Sequence, residues 1–210
     1  MNPLGWPKEL LKRTIKASTR GFDCGWHLSR YTLYGRVEQF LRGQPPGRIL
    51  SISGSDVLGE MIGRGGSELV PADYPEHTLL KLGFPDESFD YVVCDQVLEH
   101  VEGSPQLAVD EQRRVLKKGG WLVLTTCFIN PIHLAPVDLW RFTPYALRYL
   151  CREFEHVEEA DGWGNLWVPL LTEIGVRDVR VPHWRHHPLH KVATRNDPRY
   201  PVTTWVIARK

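Results

Sequence analysis

Four polar clusters in the 210-residue chain hold residue types that can do chemistry: Ser53-Gly54-Ser55-Asp56, Asp73 to Glu76, Cys94-Asp95-Gln96 through His100, and the stretch from Thr126 to Phe142. Serine hydroxyls can bond a carboxylate, and a glycine between them lets a ligand approach the backbone. His133 is the best-placed base in the last cluster, with Asp138 nearby; an oxygen or nitrogen that loses a proton on reaction needs such a group. A loop-bracing role for His133 fits the sequence equally. Trp140, Arg141 and Phe142 offer an aromatic wall with a cation for an anionic group, or they simply dock the next helix. Cys94, Asp95 and Gln96 either face a ligand or cap a strand, and His100 either takes a proton or bonds backbone. Glu99 and Glu102 read as solvated or structural. His183, His186, His187 and His190 invite a metal reading, but Pro182 and Pro188 speak against a regular helix there and no cysteine or carboxylate set accompanies them. No metal is expected.

The elements that must position these clusters alternate between strand and helix. Phe89 to Cys94 is a short apolar run of strand formers, and its near-continuous apolarity suits a parallel strand covered on both faces. Ser104 and Pro105 read as N-cap and first residue of a helix, with Lys117 and Lys118 in its last turn and Gly119 as its left-handed stop. Trp121 to Thr126 is a second buried strand, completing a strand–helix–strand unit. Upstream, Arg48 to Ser53 is a strand followed by a short helix through Ile62, Gly63 to Gly66 is a turn, and Glu68 to Val70 is a strand ending near Asp73. Thr78 to Leu82 is a weak third strand or an extended loop. Thr143 and Pro144 start a helix to Cys151, Phe154 to Glu159 is a strand, Leu166 to Ile174 a short helix, and the tail is irregular until a final strand at Val202 to Ala208. Two helices precede the core, about 7–20 and His27 to Leu41. The first is amphipathic and basic, and a solvated basic face explains it better than a membrane-surface role. The domain organisation expected is an N-terminal helical segment, 1–45, packed on a core, 46–210, in one compact domain. Such alternation implies an open, mainly parallel α/β sheet with helices on both faces, whose ligands bind beyond the carboxyl ends of the strands. The four clusters sit at those ends.

A net charge of +1 argues against a nucleic-acid protein held by bulk electrostatics. The four cysteines show no Cys-x-x-Cys spacing, which suggests reduced thiols and a cytoplasmic setting. No apolar run is long enough to span a membrane. No Gly-x-Gly-x-x-Gly follows the first core strand, so a dinucleotide dehydrogenase is disfavoured.

The segments Leu82-Gly83-Phe84-Pro85-Asp86-Glu87-Ser88-Phe89-Asp90, Val97-Leu98-Glu99-His100-Val101 and Arg114-Val115-Leu116-Lys117-Lys118-Gly119-Gly120 resemble, in order and spacing, the class I S-adenosylmethionine-dependent methyltransferases, and most of all their type 11 group. Asn130-Pro131-Ile132-His133 and Trp140-Arg141-Phe142-Thr143-Pro144 are similar to an extension of that group. The resemblance implies a Rossmann-like sheet of seven strands, the last antiparallel, and S-adenosyl-L-methionine as cofactor. It implies methyl transfer by direct displacement to a small-molecule or glycan-type acceptor. It places Ser53, Gly54, Ser55 and Asp73 on the cofactor, with Glu76 a rival to Asp73 for the ribose. Leu82, Gly83 and Phe84 would border the adenine, with Cys94 and Gln96 near the methyl donor. His133 and Asp95 are the catalytic candidates, and His100, Asp138, Trp140 and Arg141 the acceptor-side ones. One glycine survives where the group has three, so the alternative is a non-catalytic binding or scaffolding protein with an eroded site. Partners expected are the substrate and, as an option, a second copy of the chain; no nucleic acid is expected.

Overall fold

The computed structural model describes residues 5–62, 66–134 and 136–210. In chain order the elements are α1 (Gly5–Ser18), β1 (Cys24–His27), α2 (Tyr31–Leu41), β2 (Arg48–Ile52), α3 (Asp56–Ile62), β3 (Glu68–Ala72), β4 (Phe89–Asp95), α4 (Pro105–Val115), β5 (Leu116–Cys127), α5 (Pro144–Leu150), β6 (His156–Trp163), α6 (Trp167–Glu173), β7 (Arg180–Pro182), α7 (Pro188–Thr194) and β8 (Thr203–Arg209). They gather into two compact units, Val37–Gly162 with Thr203–Lys210, and Met1–Arg36 with Trp163–Val202. Of the turn expected at Gly63 to Gly66, all but Gly66 lies outside the described residues.

The larger unit is built on a six-stranded sheet of order β3-β2-β4-β5-β8-β6. β3, β2, β4 and β5 run parallel to their neighbours, and β8 pairs antiparallel with β5, from Trp121 opposite Arg209 to Cys127 opposite Thr203. This is the open, mainly parallel sheet and antiparallel last strand that the alternation implies. Val92, Val93, Leu122, Val123 and Leu124 are fully buried. Covering each such side chain is worth about 1.5–3 kcal/mol, which is why continuous apolar runs are stable here and nowhere on an exposed sheet. The chain runs from β2 outward to β3, then crosses to β4 on the other side of β2, so the strand order reverses between β2 and β4. That reversal opens a crevice at their carboxyl ends.

Three sequence expectations change. The sheet has six strands among the described residues because Thr78 to Leu82 is a tight turn, closed by a single antiparallel bridge between Thr78 and Lys81. Helix α4 keeps its Ser104 cap but ends at Val115. Lys117 and Lys118 belong to β5, where a bulge lets Phe89 face Leu116 while Tyr91 faces Trp121. Gly119 supplies the bulge with φ 74°, and a side chain on Gly120 would stand 2.9 Å from the Asp90 carbonyl oxygen. Lys117 serves Asp90, with Nζ 2.9 Å from both carboxylate oxygens, rather than a helix end.

In the smaller unit the tail is not irregular. β1 and β7 pair antiparallel, and α7 begins at Pro188, with the His187 ring accepting from Leu189 N as its N-cap. Pro188 therefore starts a helix instead of preventing one, because the first turn needs no donor from it. The tail histidines are occupied: the Tyr31 hydroxyl lies 3.1 Å from His183 Nδ1 and 3.4 Å from His190 Nδ1, and His190 also bonds the Pro182 carbonyl.

Candidate active site

The crevice is a cavity of about 490 Å³, within the range of small-ligand sites. Ser53 lines it from the end of β2, Tyr74, His77 and Leu80 from the segment after β3, His100 from the segment after β4, and Pro136 from the loop after β5. Ser53 and Gly54 are both left-handed, with φ 47° and 80°. A methyl group on Gly54 would meet nothing within 4 Å, so glycine is needed there for its backbone angle and not for space. The one glycine that remains in this turn thus answers a backbone requirement. Ser53 holds an angle that costs a side-chain-bearing residue about 1 kcal/mol.

Ser55 is fully buried and fastens strand ends. Its hydroxyl donates to the Ile52 carbonyl at 2.5 Å and accepts from Asp95 N at 2.8 Å. Asp95 also accepts from the Thr125 hydroxyl. Gln96, at φ 60°, donates through Nε2 to Thr125 Oγ1 at 3.0 Å. Cys94 is wholly enclosed in the sheet, and burial pushes its thiol well above the ordinary range. Asp73 is exposed at the end of β3, beside Tyr74, and Glu76 is exposed too. Leu82 is a core residue whose carbonyl accepts from His77 Nδ1 at 2.7 Å. Gly83 turns the chain at φ 77°, and Phe84 stacks on His77 with 5.1 Å between ring centres. Of the residues nominated for the cofactor, Ser53 lines the cavity, while Asp73 precedes the lining residue Tyr74 and Phe84 stacks on the lining residue His77. A hydroxyl, an adjacent carboxylate and an aromatic–aliphatic wall suit a ligand with a charged end, a diol and a flat base. The residues fit S-adenosyl-L-methionine.

The acceptor-side residues form a second cluster that fixes itself. A short 3-10 turn at Leu98–His100 places Glu99 inward and fully buried, which excludes the solvated of its two expected roles. Its carbonyl accepts from Leu139 N at 3.0 Å and Trp140 N at 3.1 Å. Trp140 Nε1 returns a bond of 3.0 Å to the Val101 carbonyl, and His100 Nδ1 donates to Val137 O at 2.5 Å. Asp138 has a side chain only 1% exposed; it accepts both guanidinium nitrogens of Arg141 and, at 3.0 Å, the backbone N of His133. Its carboxyl is held well below the usual range by the Arg141 hydrogen bonds. His133 Nδ1 lies 3.2 Å from Asp138 Oδ2 and 3.2 Å from Asn130 Nδ2, and its ring meets His100 edge-on at 4.9 Å. Desolvation lowers the His133 pKa from its ordinary value. Asp138 and Arg141 therefore face each other and His133, and Trp140 is half-covered by its own anchoring bond.

The residue pattern alone gives Glu99 only a solvated or structural role and assigns Cys127 no part in the site. Burial raises the Glu99 carboxyl and pushes the Cys127 thiol up to about 12. Glu99 Oε1 accepts a long bond of 3.3 Å from Cys127 N, while Oε2 has no hydrogen-bond partner among the described residues. An unpartnered buried oxygen of this kind costs about 1–3 kcal/mol. Its signal was the 3-10 turn, which inverts the inside–outside order that a helix reading of Leu-Glu-His-Val assumes.

Residues 35–124 match the family model Methyltransf_11, described as a methyltransferase domain. That match spans 90 of the 210 residues and makes this stretch similar to the methyltransferase domain of the type 11 group. The protein is an enzyme, and S-adenosyl-L-methionine is the cofactor of this methyltransferase. No curated protein sequence matches the chain. Among solved structures, a SAM-dependent methyltransferase from Archaeoglobus fulgidus is similar with a TM-score of 0.57 and 14% identity, over 86% of this chain and 94% of that one. The 1,6-didemethyltoxoflavin-N1-methyltransferase of Burkholderia thailandensis, solved with its substrate and S-adenosylhomocysteine, is similar with a TM-score of 0.55 and 13% identity, over 84% of this chain and 77% of that one. At such identities these two likenesses speak to the fold alone. No described helix of the methyltransferase is long and apolar enough to cross a membrane.

Proposed function

We propose that this methyltransferase methylates an oxygen or nitrogen on a small-molecule or glycan-type acceptor, with His133 as the proton acceptor. When bound, the cofactor would supply an electrophilic methyl on a sulfonium, open to direct displacement by the acceptor's lone pair with a neutral thioether as the leaving group. Ser53 and Gly54 would hold the charged end of the cofactor, Asp73 its diol, and Phe84 with His77 one face of its base. Ser55 and Asp95 take a positioning role, since each fastens the strand ends together. The acceptor proton passes to His133, which is neutral near pH 7 because desolvation lowers its pKa. The ionised Asp138 beside it then stabilises the imidazolium. Positioning supplies much of the remaining acceleration. Four unbridged cysteines suit a reducing, cytoplasmic setting for this chemistry.

One observation carries the reading: His133 is backed by a buried carboxylate and touches His100, which lines the cavity. A panel of hydroxyl- and amine-bearing acceptors, read by S-adenosylhomocysteine release, tests it. Against any acceptor that turns over, His133→Asn should lower kcat by about 10²–10⁴-fold without weakening cofactor binding. Unchanged turnover in that variant removes His133 from the chemistry.

A further inference from the structure

Methyl transfer leaves Glu99 unexplained. A carboxylate enclosed beside a thiol, with one oxygen lacking a partner, is the kind of buried polar group that in native proteins marks an ion or an ordered water. The surroundings favour an ion. A carboxylate oxygen of Glu99, Cys127 Sγ and one ring nitrogen of His133 all lie within 4.8 Å of one another. Cys127 is unbridged and nearly enclosed. The three come from separate places in the larger unit: the turn after β4, the end of β5 and the loop beyond it. Behind His133 stands Asp138, with Oδ2 3.2 Å from Nδ1 and both oxygens clamped by Arg141. A carboxylate on one imidazole nitrogen is the usual device for turning the other toward a metal.

We propose that Glu99, Cys127 and His133 form a site for one divalent cation of the zinc type, on the acceptor side of the cavity. A mixed oxygen, sulfur and nitrogen set with a thiolate selects such a cation over magnesium or calcium, which prefer oxygen alone. One carboxylate and one thiolate balance two positive charges, so the loaded site would bury no net charge. Three protein ligands leave a fourth position open, as in catalytic rather than structural zinc sites. Bonds of about 2.0–2.3 Å set tetrahedral ligand atoms roughly 3.3–3.8 Å apart, so the three groups need to draw in by about 1 Å. A cation and a proton exclude each other on the same ring nitrogen, so loading would replace His133 as base by metal-assisted deprotonation of the acceptor. Cation binding itself is independent of the acceptor reading and is measured without substrate.

The test titrates chelator-treated full-length protein with Co²⁺, whose thiolate complexes show an intense near-ultraviolet band, and then displaces it with Zn²⁺. The expected result is one equivalent bound, a band abolished by Cys127→Ser, and affinity lowered at least tenfold by Glu99→Gln and by His133→Asn. Asp138→Asn should weaken binding by about 10–100-fold. Cys24→Ser, at a half-buried thiol elsewhere, should leave the titration unchanged. No retained cation, or a band that survives Cys127→Ser, overturns the proposal. Should Cys127→Ser not fold, His133→Asn decides: an undiminished affinity there overturns it equally.

Discussion

The cofactor side and the acceptor side of the cavity are built by different means. On the cofactor side, strand ends and backbone angles do the shaping: Ser53 and Gly54 turn at φ 47° and 80°, and Asp73 stands exposed. On the acceptor side, side chains pin one another: Asp138 to Arg141 and His133, His100 to Val137, Trp140 to Val101. The family match at 35–124 covers the first and stops short of the second, which lies mainly in the loop after β5. A shared cofactor can be held by a shared scaffold, whereas the acceptor must be met by residues peculiar to the chain. Substitutions should therefore cost folding and turnover on the acceptor side, and cofactor affinity alone on the other.

The largest effect should come from Arg141→Ala. It leaves the nearly buried Asp138 carboxylate without its two charged donors, and should cost about 2–4 kcal/mol in urea unfolding. A loss under about 0.5 kcal/mol, the level of an ordinary surface pair, would break the contrast between the two sides. Asp138 should also shape the acid limb of stability. Its folded pKa lies below the unfolded value of about 3.9, so its contribution is present above that pH and is lost as pH falls through the folded value. Asp138→Asn should flatten the fall in melting temperature below about pH 4. On the cofactor side, Asp73→Ala should weaken S-adenosylhomocysteine binding about tenfold, the worth of a charge-assisted bond, with an unchanged melting temperature. Unaltered affinity in calorimetry would move the diol contact to another residue, Glu76 first. The smallest effect is at Ser53→Gly: relief of the left-handed angle should keep any change in stability below about 1 kcal/mol, and loss of one hydroxyl contact should weaken cofactor binding by less than about tenfold. A clear loss of stability would mean that the serine hydroxyl, not the backbone path, holds the turn.

How far the sequence revealed this structure follows the same divide. The unit β4–α4–β5 was legible because apolar runs, a Ser104–Pro105 helix start and turn glycines all agree. Its end was misread because Gly119 serves a strand bulge as readily as a helix stop, and only pairing partners distinguish the two. β1, β7 and α7 escaped notice: two are strands of four and three residues, too short for periodicity, and the third starts at a proline taken for a breaker. The identities of His133, Asp138 and Arg141 could be nominated from residue type. That Asp138 faces Arg141 and His133, or that Glu99 points inward beside Cys127, depends on where a loop crosses a turn, and no local pattern records such a crossing.

The bonds from Leu139, Trp140 and Trp140 Nε1 to Glu99 and Val101, with that from His100 to Val137, also bear on the timing of catalysis. Four hydrogen bonds tie residues 137–140 to the turn after β4, so this part of the rim cannot swing aside without breaking all of them together. Acceptors would then be sorted by an aperture of fixed shape and not by a closing flap. With no flap to move, a turnover limited by the chemical step should be indifferent to solvent viscosity, and discrimination among related acceptors should rest on how well each fills a frame set before it arrives.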